Sequence, residues 1–446
     1  MKILRKFLKW MLYILASLII IAGLFITILL YINREDLPPS SDALYYIEAR
    51  DQTLYSSEQK NAYIGLLGLA PPAELDQWQA GKKVAASLKQ CSPNSWNKIC
   101  KPLFEGELKI TPKASEYFSN CRKEGNQCQA LSAALDKPKL LAENSLLLNR
   151  YQNLLSSDYY HQTTSINIQA PLPSYQHLIQ GQKLYLLQLY TLATDDIKPL
   201  LQNDLDFWRL MLKDCDILIC KMVAVAGVKN HFGLAGVFLT TMPSEQKKQL
   251  LPSSWATPLS NQERSLKKSL VGEYQFFSNT TDPQALEFFY ASDEAPNAIE
   301  IPFYRLTSQL FKPQASLNLA ATMYRNTERT ATLSFSALAA HKKKAPQPAE
   351  KIKGNFLYNP VGRLLAASSE AWIFDTYSYR ITDLEGIRQL SLAAAHLDPN
   401  KDIQNQLNQL PYKNPYTGKA FSYNNNHKTI NFDGLGKDGE FTLSVK

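Results

Sequence analysis

The chain has 446 residues, enough for two or three folding units at about 150 residues each. Its net charge is +8, but the first 34 residues contain five basic residues and no acidic one, so the remaining 43 basic and 40 acidic residues nearly balance. A nucleic-acid-binding protein needs a dense basic face. This charge distribution therefore gives no support to a nucleic-acid partner.

The first predicted element is a helix that spans a membrane. The chain is almost wholly apolar from Phe7 to Ile32, and a bilayer core needs about 20 apolar residues in a helix. A cleaved signal peptide is the alternative, with an apolar region of about 7–15 residues and small residues at its end. Because this run is longer and ends in Leu29–Ile32, we expect an uncleaved helix at residues 10–32.

The charges that flank this helix predict its orientation. Four basic residues precede it, and Glu35 and Asp36 follow it. Positive residues stay on the cytoplasmic side, so we expect residues 1–9 in the cytoplasm and the bulk of the chain outside it. The four basic residues are Lys2, Arg5, Lys6 and Lys9.

Six cysteines in close pairs predict disulfide bonds in an exported chain. The local scheme, one of several that the sequence allows, joins Cys91 to Cys100, Cys121 to Cys128, and Cys215 to Cys220. Residues five apart on one helix point about 140° away from each other, so the last pair needs a helix break near residues 214–216. Zinc and a catalytic cysteine are the alternatives, but there is no CxxC pair and no histidine at a ligand spacing.

Helical periodicity dominates residues 43–252. Apolar residues at offsets of three and four predict one buried helix face; they are Leu201, Leu205, Trp208 and Leu212. The apolar run from Ile217 to Val228 is too short for a second membrane span and is interrupted by Lys221, so it predicts a buried core helix. Short polar connections favour antiparallel helical hairpins.

The remaining chain is expected to combine helices with a small sheet. The middle region has helical pieces and strand-like stretches such as Ala331–Phe335. A long helix is predicted from Asn359 to Leu397 and a short one at 402–410. Alternating apolar residues around the polar turn Asn424–His427 and after it predict a β-hairpin with a closing strand.

The predicted fold class is therefore mainly α, with an N-terminal transmembrane helix, a helical-hairpin extracytoplasmic domain and a small C-terminal β-hairpin or sheet. The predicted organisation is a cytoplasmic segment 1–9, a transmembrane helix 10–32, a linker 33–42, a helical disulfide-containing domain 43–252, an irregular α/β middle region 253–354, and a long helix with a C-terminal β module 355–446.

The sequence predicts no catalytic residues. No HExxH, GxSxG or phosphate-binding glycine loop is present, and a surface or core role is expected for each of the histidines, which are His161, His177, His231, His341, His396 and His427. The densest polar cluster places Asp433, Asp438 and Glu440 among glycines, a composition that can hold calcium. A glycine-rich turn between two strands is the alternative explanation, and calcium is the one cofactor considered.

Several short segments together resemble a family of uncharacterised envelope proteins from Gram-negative bacteria. They are Asn61–Leu69, Phe207-Trp208-Arg209, Lys221–Ala224, Asn359-Pro360-Val361-Gly362 and the paired cysteines. The resemblance covers most of the chain and implies the bacterial inner membrane and the periplasm as location. It implies no activity.

The tail is similar to the C-terminal module of the major pseudopilins of type II secretion. The similarity lies in Leu410–Tyr423 and Gly436–Gly439 and implies a small sheet whose glycine- and aspartate-rich loop can hold calcium. Asn414 replaces the usual aspartate, and the N-terminal prepilin site is absent, so the similarity does not extend to a pilin subunit.

These observations favour a non-enzymatic binding or scaffolding component of the cell envelope, anchored in the inner membrane and acting with an envelope protein as partner. A membrane-anchored periplasmic hydrolase and a secretion-system accessory protein are the alternatives. A histidine beside a carboxylate in a cleft would favour the hydrolase, and an aromatic-lined groove or a flat apolar patch would favour binding.

Overall fold

The computed structural model describes residues 2–50, 60–71, 73–89, 108, 110–121, 135–166, 172–281, 306–344, 356–368, 371–437 and 439–445. It is mainly helical and ends in a small antiparallel sheet, which confirms the predicted fold class. The strands are β1 (Ser422–Asn424), β2 (Thr429–Asp433) and β3 (Glu440–Ser444).

The described helices follow one another with short connections. Those of the first half are α1 (Lys2–Ile32), α2 (Ser41–Arg50), α3 (Ala62–Leu67), α4 (Gln77–Leu88), α5 (Pro112–Cys121), α6 (Lys137–Glu143), α7 (Ser145–Leu154), α8 (Tyr175–Leu187), α9 (Thr194–Asp214) and α10 (Leu218–Leu239). Those of the second half are α11 (Ser244–Leu250), α12 (Ser253–Ala256), α13 (Asn261–Arg264), α14 (Lys267–Thr281), α15 (Pro313–Ala331), α16 (Phe335–Lys343), α17 (Pro360–Ser368), α18 (Ala371–His396) and α19 (Ile403–Gln409).

The chain forms two compact units, and each is assembled from segments that are distant in sequence. The first unit comprises Met1–Glu48, Phe277–Arg325 and Gln347–Ala371, and the second comprises Ala49–Phe276, Asn326–Pro346 and Trp372–Lys446. The first unit contains α1, and the second contains the helical hairpins and the sheet.

Helix α1 is long and apolar enough to cross a membrane. Its span Arg5–Ile32 has a mean hydropathy of 2.7, and none of it is buried against the protein. Helix α10 is also long and apolar, but 61% of its apolar window is buried in the second unit. Lys221 on this helix is 1% exposed. The interpretation of α10 as a core helix is confirmed.

Helices α9 and α10 form an antiparallel pair whose junction carries a disulfide bond. Helix α9 ends at Asp214 and α10 begins at Leu218, so the helix breaks where the Cys215–Cys220 bond requires it, and this predicted disulfide is confirmed. The Cα atoms of the two cysteines are 5.5 Å apart. Cys91, Cys100 and Cys128 lie outside the described residues, so the other two disulfides stay predictions.

The described part of the middle region is helical. The strand predicted at Ala331–Phe335 is wrong, because α15 ends at Ala331 and α16 begins at Phe335. The Ser334 hydroxyl accepts a hydrogen bond from the Ala337 amide (3.3 Å) and caps α16. The alternation of apolar and polar residues there belongs to a helix junction.

The C-terminal sheet has the order β1-β2-β3, and both neighbouring pairs are antiparallel. One face is apolar and buried, with Ile430 opposite Leu443 and Phe432 opposite Phe441. A Cβ atom at Gly386 on α18 would lie 2.0 Å from the Phe432 ring. The predicted hairpin and its closing strand are confirmed, and they pack closely on α18.

Two glycines of α10 provide a matched test of this core. A Cβ atom at Gly227 would lie 2.1 Å from the Trp208 ring, whereas one at Gly233 would lie 3.8 Å from Phe441. We expect Gly227→Ala to lower the free energy of unfolding by about 2–3 kcal/mol through overpacking. Gly233→Ala should be neutral or raise it by about 0.5–1 kcal/mol, because alanine favours the helix. Urea unfolding measures both, and equal effects would contradict the packing.

Candidate functional site

The end of α1 is fixed to its unit by Asn33. The side-chain amide of Asn33 donates to the carbonyls of Leu29 (2.8 Å) and Leu357 (2.6 Å), and its oxygen accepts the backbone N–H of Asn359 (2.6 Å). Asn33 is 2% exposed, so little water competes for these bonds. The first residue after the apolar helix therefore holds a segment that follows it by 324 to 326 residues.

Asp36 caps a second helix of the same unit. Its carboxylate accepts the backbone N–H groups of Gln314 (2.8 Å) and Ala315 (3.0 Å). These amides belong to the first turn of α15, which starts at Pro313, a residue without an N–H group. A carboxylate there satisfies free amides and interacts favourably with the positive end of the helix dipole. The start of the segment predicted as a linker, 33–42, thus makes specific contacts.

Asn359 completes this junction from the third segment of the unit. Its backbone φ angle is 51°, a left-handed conformation that asparagine tolerates better than most residues. The side-chain oxygen accepts the N–H groups of Lys312 (2.9 Å) and Gly362 (3.1 Å), and the side-chain amide donates to Ser316 Oγ (2.9 Å). A Cβ atom at Gly362 would lie 2.0 Å from that hydroxyl. These contacts explain the spacing of Asn359 and Gly362.

The junction predicts a local change in hydrogen exchange. Asp36→Ala should cost about 1 kcal/mol of local stability and speed the exchange of the Gln314 and Ala315 amides about fivefold, because they lose their acceptor. Glu35→Ala is the matched control, since the Glu35 side chain is 78% exposed and pairs with Arg34. Hydrogen exchange with mass spectrometry on the full chain measures both. Equal rates in the two variants would contradict the capping role.

A buried carboxylate, Asp204, connects the helices of the second unit. One oxygen accepts from the Tyr151 hydroxyl. The other accepts from Gln182 Nε2 (3.1 Å) and lies 2.8 Å from His231 Nδ1. Trp208 Nε1 donates to the Tyr151 oxygen (3.0 Å). Because Asp204 is 0% exposed, these donors replace the water that the carboxylate loses on folding. Burial and the neighbouring Asp204 raise the pKa of Tyr151 well above its ordinary value.

The His231–Asp204 pair lacks the access that a catalytic dyad needs. Trp255 Nε1 donates to His231 Nε2 (2.8 Å), and an indole nitrogen is a donor only. His231 is therefore the tautomer with its proton on Nδ1, directed at Asp204. A general base would direct Nε2 at a nucleophile or water, but here Nε2 is occupied and the ring is 0% exposed. The pair holds α9, α10 and α12 together.

Arg209 fixes the short helices α12 and α13 to α9. Its guanidinium makes two bonds to the Glu263 carboxylate (2.5 and 3.0 Å) and donates to the carbonyls of Ser254 (3.0 Å) and Thr257 (2.8 Å). Glu263 also forms a capping box with Ser260. The guanidinium fork matches this planar bidentate arrangement, which a lysine would not reproduce.

Lys221 is a buried cation in the same region. Its Nζ donates to the carbonyls of Leu212 and, at 2.8 Å, Glu263. Burial lowers the pKa of Lys221 from 10.5 to about 7, while the nearby carboxylates of Glu263 and Asp214 oppose this shift. The charged form is therefore much less favourable in the folded chain than in the unfolded chain.

This shift predicts a pH dependence of stability. Between pH 7 and 10.5 the unfolded chain binds more protons at Lys221 than the folded chain, so stability rises with pH. Relative to Lys221→Met, the free energy of unfolding of the wild type should increase by about 2 kcal/mol from pH 7 to pH 9. Urea unfolding of both chains at several pH values measures this difference, and the variant cancels the titration of other groups. Parallel curves would contradict the low pKa.

Asp383 on α18 is enclosed by the glycine-rich loop between β2 and β3. Its carboxylate accepts the N–H groups of Leu435 and Gly436 and the Tyr416 hydroxyl, each at 2.7 Å. Burial raises the pKa of Asp383, and these donors oppose the rise. A Cβ atom at Gly434 would lie 2.5 Å from the carboxylate carbon, so the loop needs glycine to approach it.

The residues of the predicted calcium site lie away from this carboxylate. Asp433 and Glu440 face each other across β2 and β3 and are exposed, and Asp438 lies outside the described residues. Within the described residues, no three His, Cys, Asp or Glu side chains converge as metal ligands. The contact with Asp383 accounts for the glycines, as the alternative of a turn between strands suggested. Calcium binding stays a prediction.

His161 forms a partly exposed cluster beside the disulfide. Its Nδ1 lies 2.9 Å from Asp216 Oδ2, which also accepts the Gln162 N–H (2.6 Å). Lys268 Nζ lies 3.5 Å from Asp216 and 3.8 Å from Asp214. Burial raises the pKa of Asp214, and Lys268 partly opposes this. A histidine oriented by a carboxylate can exchange protons, and its side chain is 37% exposed. Sequence reasoning found no signal for this pairing.

The sheet carries an open polar depression of about 510 Å³. Its lining is Ser422, Tyr423, Asn424–Asn426 and Asn431, on β1, β2 and the turn between them. Amide and hydroxyl groups dominate this surface. A ligand there would keep much of its surface in water, whereas small-molecule sites bury most of the ligand.

Comparisons with known proteins add no family to this description. No family model matches the chain, and no curated protein or solved structure matches it.

Proposed function

We propose that this protein is a single-pass membrane-anchored component of a bacterial cell envelope, with its N-terminus in the cytoplasm and its bulk in the periplasm, and that it binds or positions another envelope protein without catalysis. The observation that carries the proposal is the hydrogen-bonded junction of Asn33, Asp36 and Asn359. A flexible tether would suffice to keep an enzyme near a membrane. A positioning protein needs a fixed connection between its anchor and the folded unit beside it.

Two further observations support the location. Positive charge precedes α1 and acidic residues follow it, as expected for a cytoplasmic N-terminus. The Cys215–Cys220 bond fits an oxidising compartment, because disulfides are rare in the cytoplasm. The sealed His231–Asp204 pair supports a non-enzymatic role for the helical core.

The topology can be tested with fusions after Lys446. A reporter that folds only outside the cytoplasm should be active there, and a reporter that works only in the cytoplasm should be inactive. Replacing Lys2, Arg5, Lys6 and Lys9 by glutamate should reduce the first signal, because the charge bias that sets orientation is reversed. A cytoplasmic reporter with full activity in the unmodified chain would overturn the proposed topology.

The positioning role predicts that partner contacts depend on the junction. Crosslinking in cells followed by mass spectrometry should identify an envelope protein attached to the full chain. Asp36→Ala together with Asn33→Ala should weaken these crosslinks several-fold at equal abundance, whereas Glu35→Ala should preserve them. An unchanged crosslink pattern in the double variant would contradict the positioning role.

The exposed His161–Asp216 pair favours a second candidate function, an anchored hydrolase in which His161 acts as general base. The purified chain would then hydrolyse at least one class among ester, peptide and glycan substrates. His161→Gln should abolish this turnover and His427→Gln, which changes an exposed histidine of the sheet turn, should preserve it. Equal turnover in the two variants would exclude His161 as the base.

A further inference from the structure

The first unit exposes apolar side chains beside the junction. Phe356 is 64% exposed and Leu364 is 72% exposed, and Leu357 and Leu365 extend the same chain segment with 36% and 46%. Phe356 and Leu357 precede the Asn359 turn, and the two leucines lie on α17. We call these four residues the 356–365 patch. Single exposed apolar residues are ordinary on protein surfaces, but a group of large ones in one short segment indicates an interaction site.

The junction places part of this patch at the end of α1. Leu357 accepts a hydrogen bond from Asn33, the residue that follows the last residue of α1. The Tyr358 hydroxyl donates to the Glu35 carbonyl (3.2 Å). Phe356 and Leu357 therefore lie within a few residues' length of the point where the apolar helix ends. The patch is continuous with the surface of α1.

The aromatic residues of α1 indicate where a bilayer would end. Trp10 and Tyr31 lie about 32 Å apart along the helix at about 1.5 Å per residue, close to the hydrocarbon thickness of about 30 Å. Trp and Tyr collect at both membrane interfaces, and Tyr31 is 75% exposed. Asn33 lies about 3 Å beyond Tyr31 along the axis. The residues bonded to Asn33 are thus at the depth of the lipid headgroups.

We propose that the 356–365 patch inserts into the interface of the lipid leaflet in which α1 ends. Helix α17 then lies on the bilayer as a short amphipathic helix: the buried Gly362 contacts Ser316 of its own unit, and Leu364 and Leu365 enter the lipid. This inference rests on the proposed membrane anchor. A lipid surface is favoured over a protein partner because the patch continues the apolar surface of α1. The inserted side chains give the first unit a second attachment to the membrane.

The test uses the full chain in nanodiscs of phosphatidylethanolamine and phosphatidylglycerol. The photoreactive residue p-benzoylphenylalanine replaces Phe356 or Leu364, and in separate chains Ile28 of α1 or Leu172 of the second unit. After irradiation, mass spectrometry identifies whether each site carries a lipid adduct or a protein adduct. All four side chains are exposed, so the substitutions leave buried packing intact, and an unchanged melting temperature verifies this.

The proposal expects lipid adducts at positions 356 and 364 several-fold above those at position 172 and comparable with those at position 28. Lipid adducts at position 28 without an excess at 356 and 364 would overturn the inference and leave the anchor intact. Adducts from 356 or 364 to the scaffold protein or to a second copy of the chain, instead of lipid, would overturn it in favour of protein binding. Absence of lipid adducts at position 28 would overturn the anchor as well.

Discussion

A carboxylate without access to water costs several kcal/mol unless donors surround it, and Asp204 is such a group. Tyr151 on α7, Gln182 on α8 and His231 on α10 provide the donors, so one side chain of α9 requires three other helices to pack in a single arrangement. Trp255 extends the constraint to α12 by occupying the second imidazole nitrogen. Hydrophobic packing favours compactness of these helices, and the polar network selects their registration.

The same use of polar groups recurs at the C-terminal sheet. Glu385 and Arg388 of α18 form a buried pair, and Arg388 donates to the Trp255 carbonyl (2.6 Å). One turn earlier on the helix, Asp383 binds the backbone of the glycine-rich loop. Helix α18 thus joins the helical core to the sheet through charged groups that are fully satisfied by protein donors and acceptors. Polar groups consumed in this way are not available for chemistry, which is why the proposed function is binding or positioning.

The sequence predicts those features that depend on local pattern. The apolar length of α1, the buried face around Trp208, the alternation around β2 and the helix break at Cys215 each follow from residues that are neighbours in the chain, and the structure confirms them. Contacts across long separations leave no such pattern. A lone Asp36 or Asp383 has no periodicity to indicate that it binds distant backbone amides. The glycines around residue 434 suggested a metal loop, because composition does not distinguish a loop that offers oxygens from one that offers N–H groups.

The junction after α1 bears most directly on how the protein works. A transmembrane helix that leads into a proline- and serine-rich segment is ordinarily expected to be a loose tether. Here Asn33 and Asp36 bind the two other segments of the first unit before that segment begins, and Asn318 donates to the Pro38 carbonyl (2.9 Å) within it. Each bond removes a rotation that a tether would retain. The orientation of the first unit is therefore coupled to the tilt of α1, and a force or binding event at either end would be transmitted to the other.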